Sequence, residues 1–337
     1  MSRRSLTGLV GAAAAAALLV GPAVAFRAAD RTSAATDPRA GVVIITTHVG
    51  YQPGAVGAGT GIVLSGNEVV TNNHVIRGAS TIHVTDVSSH RSYTATVAGY
   101  SVSRDVAVLR LQGSPGLKTA PIGDSAAVRL GDRVLAVGNA GGTGVLTTSR
   151  GKLIGLHRSI TVGEDEGDSS RMTGLLVTSA RLVPGDSGGP LLSRGRVVGV
   201  DAATSTGFLM QDGGEGFAIP INTALAVARQ IETGHGSATV HVGPTAFLGV
   251  ALGGSGNTGS VPGALVQDVV PNSPADRAGV GPGDLITRFA GRRISSTTAL
   301  RQQVLRLAPG RTVRVTWLDR FGAASAASVR LASGPPQ

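Results

Sequence analysis

The 337-residue sequence has no cysteine. That excludes disulfides, thiolate metal sites and cysteine nucleophiles, so packing alone must hold the chain together. Aromatic residues are scarce at 3%, which leaves Val, Leu, Ile and Ala to build the cores. Charged residues are few at 15%, which argues against a long disordered charged protein, and 42% hydrophobic residues suffice for ordinary cores. Lysine is almost missing: apart from Lys118 and Lys152, every basic residue is arginine. The net charge of +10 raises nucleic acid as a partner. However, the arginines are scattered from Arg3 to Arg330 without a concentrated stripe, which argues against nucleic-acid binding. There is no HExxH, no P-loop and no nucleotide-binding glycine fingerprint, so no metal or organic cofactor is implied.

The N-terminus carries an address. Arg3 and Arg4 precede an apolar run from Leu6, and "AVA" stands at 23–25. A positive region, an apolar region and an A-x-A site read as a signal peptide over residues 1–25. Cleavage after Ala25 removes two Arg and leaves 28 − 20 = +8. The alternative is an uncleaved single-pass anchor, since Leu6 to Phe26 is 21 residues, long enough to cross a bilayer. "SRRSL" also partly resembles a twin-arginine signal. Both main readings place the remainder outside the cytoplasm, secreted or in the cell envelope.

Residues 26–40 are small and polar and read as a linker. From Gly41 the pattern becomes short β-branched runs, such as "GVVIITTHV", "VAVLRLQ" and "RVVGVDAA", separated by Gly, Asn, Asp and Ser. Many short strands at this spacing predict a mainly β barrel or sandwich over 41–234. A helix is expected at 222–234, with Leu225, Ala228 and Ile231 on its apolar face and Gly234 at its end. Residues 235–245 read as a second linker, and 246–333 as strands plus one helix. Ser295 or Ser296 caps that helix, Leu300, Val304 and Leu307 line one face, and Gly310 stops it. The tail "SGPPQ" is expected to be disordered.

"RLVPGDSGGP" at 181–190 poses the chemical question. With 50 glycines in the chain it could be an ordinary turn. A serine becomes a nucleophile only with a base in reach, an acid that orients the base, and donors for the oxyanion. Of seven histidines, His74 stands out at the end of a strand in "VVTNNHVI". Asp105 opens the alternating strand "DVAVLRL", where a carboxylate beside Val and Leu needs a partner such as an imidazole N–H. The glycines around Ser187 allow a sharp turn that aims the N–H groups of Gly185 and Ser187 at one point.

"TNNHVI", "RDVAVLRL" and "GDSGGPLL", in that order, resemble the three catalytic motifs of chymotrypsin-fold serine proteases. "GAGTGIVLSGNEVVTNNHVI" and "GFAIP" resemble the HtrA (Deg) branch. The resemblance covers about residues 41–234. It implies a chymotrypsin-like fold of two packed six-stranded β-barrels, with His74 as general base, Asp105 as orienting acid, Ser187 as nucleophile, and Gly185 and Ser187 as the oxyanion hole. It also implies protein or peptide substrates, a homotrimer, and an S1 wall at Leu182 that suits a small or medium apolar P1 residue. Loop 201–215 also shapes that pocket. Arg181 occupies the place of a trypsin's specificity Asp and argues against basic P1 residues. Two features depart from the branch: Asp186 stands where Asn is usual, and the space from Tyr51 to Ala58 is too short for the long inhibitory loop. "AFLGV" at 246–250, "VVPNSPADRAGVGPGDLI" at 269–286 and the capped helix resemble a bacterial α+β PDZ domain. That resemblance implies capture of peptide C-termini by Phe247, Leu248, Gly249 and Val250, with Val304 lining the side-chain pocket and Leu300 better read as core. Two alternatives remain at this point: a proteolytically silent PDZ scaffold or chaperone, and a basic envelope protein that binds anionic polymers.

Overall fold

The computed structural model describes residues 37–50, 54–113, 116–163, 169–202, 215–253, 257–258 and 261–337. The signal or anchor segment, nearly all of the first linker and most of loop 201–215 lie outside the described residues. Among the described residues no helix is long and apolar enough to cross a membrane.

The chain begins with six strands and one helical turn: β1 (Val42–Val49), β2 (Val56–Ser65), β3 (Glu68–Thr71), α1 (Asn73–Ile76), β4 (Ala79–Asp86), β5 (Arg91–Ser101) and β6 (Val106–Leu111). They pair antiparallel in the order β5-β4-β1-β2-β3-β6, and a β5–β6 pairing closes the ring. Alternation decides the interior: Ile45, Val63, Val69, Val84 and Leu109 fill it, with Tyr100 as its one fully buried aromatic. Gly61 is required there, because a Cβ would lie 2.5 Å from a Val69 methyl.

A second closed barrel follows: β7 (Arg133–Gly138), β8 (Thr147–Gly163), β9 (Ser169–Thr178), β10 (Pro190–Ser193), β11 (Arg196–Ala202) and β12 (Gly216–Pro220), in the order β10-β11-β12-β9-β8-β7. Strand β8 is 17 residues long, and its register against β9 shifts at Leu153/Gly155, Gly155/Arg158 and Arg158/Ile160. Such bulges bend a long strand around a barrel. Helix α2 (Ile221–Glu232) buries Ala224, Val227, Ala228 and Ile231. Its core face thus includes Ala228 and Ile231 as expected, while Leu225 is only half-buried. Gly234, at φ 74°, terminates it. One apolar cluster joins both barrels to this helix through Val42, Ile62 and Val108, Val137, Leu192 and Ile219, and Ile221 and Val227. Each such side chain contributes about 1.5–3 kcal/mol on burial. The cluster is therefore continuous from one barrel to the other.

The C-terminal unit contains β13 (His241–Val242), β14 (Thr245–Phe247), β15 (Val250–Leu252), β16 (Asn257–Thr258), β17 (Val261–Pro262), β18 (Ala264–Val269), α3 (Pro274–Arg277), β19 (Leu285–Phe289), β20 (Arg292–Arg293), α4 (Thr297–Leu305), β21 (Thr312–Leu318), β22 (Ala324–Arg330) and β23 (Ala332–Gly334). A main sheet runs β15-β18-β19-β21-β22, and β14 pairs with β23. Ser296, rather than Ser295, caps α4 by accepting from the Ala299 N–H. Ser273 caps α3 in the same way through the Asp276 N–H.

Two expectations are corrected here. The segment read as a linker contains β13, which pairs with β5 through His241↔Tyr100 and Val242↔Gly99. The tail is ordered as well: β23 pairs with β14, the Gly78 N–H donates to the Pro336 carbonyl (2.9 Å), and Asn73 Nδ2 donates to the Gln337 carbonyl (2.9 Å). Proline stiffness and free backbone acceptors let a short Gly-Pro tail be held by partners distant in sequence. The C-terminal unit is also fastened through α4: Leu305 packs on the core of the first barrel, and its carbonyl lies 3.1 Å from His241 Nδ1.

Candidate active site

His74 stands on α1, directly after β3. Asn72 precedes the helical turn in extended conformation, and its side chain donates to the Asp105 carbonyl (3.0 Å). Asp105 sits at the mouth of β6 with φ 51°, a left-handed conformation that is costly for a residue with a side chain. That posture lets one carboxylate hold His74 twice. Oδ1 accepts from the His74 backbone N–H (2.9 Å), and Oδ2 lies 2.7 Å from the ring Nδ1. Asp105 is 7% exposed, so the desolvation of its carboxylate is offset by these two donors. With Nδ1 engaged, Nε2 is the nitrogen left for other chemistry.

Ser187 lies in a turn that only glycine can make. A Cβ on Gly185 would be 2.1 Å from the Asn139 carbonyl, and one on Gly188 would be 2.1 Å from the Thr60 carbonyl. Both have positive φ. The Ser187 carbonyl accepts from the Thr60 N–H (2.8 Å), and a Cβ on Gly59 would meet both Val75 (2.5 Å), the residue after His74, and the Ser187 carbonyl (3.3 Å). Strand β2 therefore seats both the histidine turn and the serine turn. The Pro184 carbonyl accepts from the Gly141 N–H (2.7 Å). A trans peptide points its carbonyl and the following N–H in opposite directions, so the Gly185 N–H faces away from Gly141.

Residues that sequence reasoning passed over complete this frame. Thr60 Oγ1 donates to the Gly185 carbonyl (2.7 Å) and accepts from the Asn139 N–H (2.9 Å). Thr71 Oγ1 donates to the Thr60 carbonyl (2.7 Å). Thr60 lies inside the "GTGIVLS" run, and its hydroxyl is the only signal that could have marked it. Thr60→Val keeps the shape but leaves two buried backbone groups unpaired, which costs about 1–3 kcal/mol. If that loss falls on the oxyanion side of the serine turn, kcat/KM for a peptide ester drops about 5- to 150-fold with KM little changed. Steady-state kinetics of T60V check this.

Asp186 finds no cation among the described residues. Its Oδ2 accepts from the Val183 N–H (3.0 Å), while Oδ1 is buried without a partner. Behind it lies Asp201, fully buried, with neither carboxylate oxygen partnered. Its backbone bonds to the serine turn through Gly188 N–H to Asp201 O (2.8 Å) and Asp201 N–H to Gly189 O (2.7 Å). Burial pushes both carboxyls up, and the charge of Asp186 pushes Asp201 further. A carboxyl raised in the folded state keeps its proton after the unfolded chain has lost it. Folding stability therefore falls as pH rises from about 4 toward the folded-state value. Asp201→Asn removes the part of that fall that Asp201 contributes. Its melting temperature should match the parent near pH 4 and exceed it by a few degrees at pH 8, as about 1–3 kcal/mol is regained. Calorimetry across that range checks it.

Leu182 is 7% exposed and joins the second barrel's core, packed on Gly216. Arg181 turns instead to a separate cavity of about 190 Å3, lined also by Thr147, Ser149 and Asp186. In the C-terminal unit, Leu248 and Val304 are buried with Leu300 in one core. The Leu248 carbonyl accepts from the Ala275 N–H, and the Gly249 carbonyl from the Val270 N–H (both 2.9 Å). The N–H groups of Leu248 and Gly249 and the far edge of β15 would then face a ligand. Strand β15 pairs on one side with β18 and has no second strand among the described residues. Phe247 and Val250 are half-buried.

Residues 59–200 match the family model described as a trypsin-like peptidase domain, and residues 246–331 match the PDZ domain model. The chain thus contains a trypsin-like peptidase domain followed by a PDZ domain. The periplasmic serine endoprotease DegP of Salmonella typhimurium is 35% identical over 76% of this chain and 53% of its own length. The serine protease PepD of Mycobacterium tuberculosis is 33% identical over 86% of this chain and 63% of its own. The chain thus spans between half and two thirds of these relatives. Among solved structures, the HtrA-type protease AlgW with a tripeptide is 28% identical, with a TM-score of 0.49 and coverage of 88% and 95%. The peptidase match runs from β2 to β11 of the two barrels, and the PDZ match takes in the main C-terminal sheet with α3 and α4.

Proposed function

We propose that this protein is an extracytoplasmic serine endopeptidase of the HtrA type. The observation that carries the reading is the double hold of Asp105 on His74, set beside the glycine-built turn of Ser187. Ser187 Oγ attacks the scissile carbonyl carbon while its proton passes to His74 Nε2. Asp105 fixes the ring and stabilises the imidazolium that forms. The N–H groups of Gly185 and Ser187 receive the oxyanion. Collapse of the tetrahedral species breaks the C–N bond, and the leaving amine takes the proton from His74. A water molecule then repeats the sequence on the acyl-enzyme and regenerates the serine. Leu182, against Gly216, forms one wall of a pocket for a small or medium apolar P1 side chain.

The PDZ domain would take an extended peptide C-terminus along the free edge of β15. Its carboxylate would meet the N–H groups of Leu248 and Gly249, directly after Phe247, and its last side chain would lie near Val250 and Val304. Exported unfolded or damaged proteins fit these requirements, because they offer extended segments and free C-termini. The periplasmic location named for the DegP relatives supports an extracytoplasmic site. A silent scaffold is the weaker reading, since all three triad residues are present.

Treatment with a fluorophosphonate probe, followed by mass spectrometry, tests the activated serine. An adduct on Ser187 is expected. No adduct, even with C-terminal peptides supplied to the PDZ groove, would overturn the protease reading.

A further inference from the structure

The arginines look dispersed in the sequence, but the second barrel gathers four cations onto one groove. Its volume is about 700 Å3, and Arg133, Arg150, Lys152 and Arg194 line it. Arg133 and Lys152 are directly opposite each other on β7 and β8. Like charges in that position destabilise a sheet unless something neutralises them. Arg150 lies two residues from Lys152 and so projects from the same face, about 7 Å along the strand. Arg194 reaches over from the β10–β11 turn, and Asp132, 3.7 Å away, is the single acidic side chain within ion-pair distance of any of the four among the described residues. All four cations are exposed. Leu135 and Gly151 are also among the groove's lining residues.

We propose that this groove binds a linear, phosphate-bearing polyanion by its backbone. Three of the four cations are arginine, whose planar fork matches phosphate oxygens. A groove with spaced cations suits successive charges of an extended chain better than a flat surface. No aromatic side chain lines it among the described residues, so it offers no platform on which bases could stack. Recognition is therefore of charge and spacing, not of nucleobase sequence. The site belongs to the outer face of β7 and β8 and shares no lining residue with the triad.

The test is titration of fluorescent inorganic polyphosphate with the full-length protein at several salt concentrations. Log affinity should fall linearly with log salt, with a slope near −3 for four contacts at about −0.7 each. The double variant Arg133→Gln, Lys152→Gln should bind about tenfold more weakly and lose between one and two units of slope. The variant Arg292→Gln, Arg293→Gln, which removes the same charge from the exposed strand β20, should bind like the parent. Ser187→Ala should also bind like the parent, which separates this site from the protease reading. Melting temperatures no lower than the parent's would show that all variants fold. Equal weakening by both double variants would overturn the proposal in favour of net charge. Binding to phosphatidylglycerol vesicles without binding to polyphosphate would overturn it in favour of a membrane surface.

Discussion

Replacing Ser187 with alanine will lower kcat for peptide cleavage by about 10⁴- to 10⁶-fold, the range found when the nucleophile of such a triad is removed. Fold and peptide binding should survive. The side chain lost is a single hydroxyl, while the turn is held by backbone bonds: the Ser187 carbonyl with Thr60, and Gly188 and Gly189 with Asp201. The discriminating measurement pairs casein hydrolysis with binding of a C-terminal peptide to the PDZ domain. Lost cleavage with retained peptide affinity is expected. Cleavage within tenfold of the parent would show that Ser187 is not the nucleophile.

Replacing Asp105 with asparagine will lower kcat by about 10⁴-fold, the order seen for this change in Ser-His-Asp triads of the same geometry. The reason lies in which nitrogen carries the proton. The carboxylate accepts from His74 at Nδ1 and leaves Nε2 free as a base. An asparagine amide can present its NH2 to Nδ1, which moves the ring proton to Nε2 and removes the base. The backbone hold can persist through the amide oxygen, so the structure should change little. The loss should lessen at high pH, where serine needs less help from the base. A pH–rate profile that keeps the parent's shape and height would exclude this role for Asp105.

The candidate site was legible because each element is local. "TNNHVI", "RDVAVLRL" and "GDSGGP" are short strings in which a reactive side chain stands beside its own turn signals. The mainly β architecture was legible for a similar reason: runs such as "GVVIITTHV" bury one face or both over a few residues. What stayed hidden depends on pairing at a distance. Thr60 meets Gly185 across 125 positions, and nothing in "GTG" marks that meeting. Strand β8 escaped because "TTSRGKLIGLHRSITVG" is bulged and polar, so its alternation is broken at each register shift. The cationic groove escaped because 133, 150, 152 and 194 converge only when β7, β8 and β10 close the barrel. A search for a basic stripe along the sequence finds runs, not rings. Asp186 stood out in the sequence only as an Asp where Asn is usual; the structure adds that its neighbour is a second buried carboxyl, Asp201.

The tail has a consequence for how the protein is made. Asn73, one residue before His74, receives a backbone partner at Gln337, and 264 positions separate them. At 5–20 residues per second, synthesis needs about 13–53 s to cover that distance. The first barrel can close well before then, and its histidine turn with it. The contacts from Pro336 and Gln337 arrive after the residues of the first barrel have all been made. Assembly is thus ordered in time, and the region around the proposed base receives these bonds well after its own barrel has been synthesised.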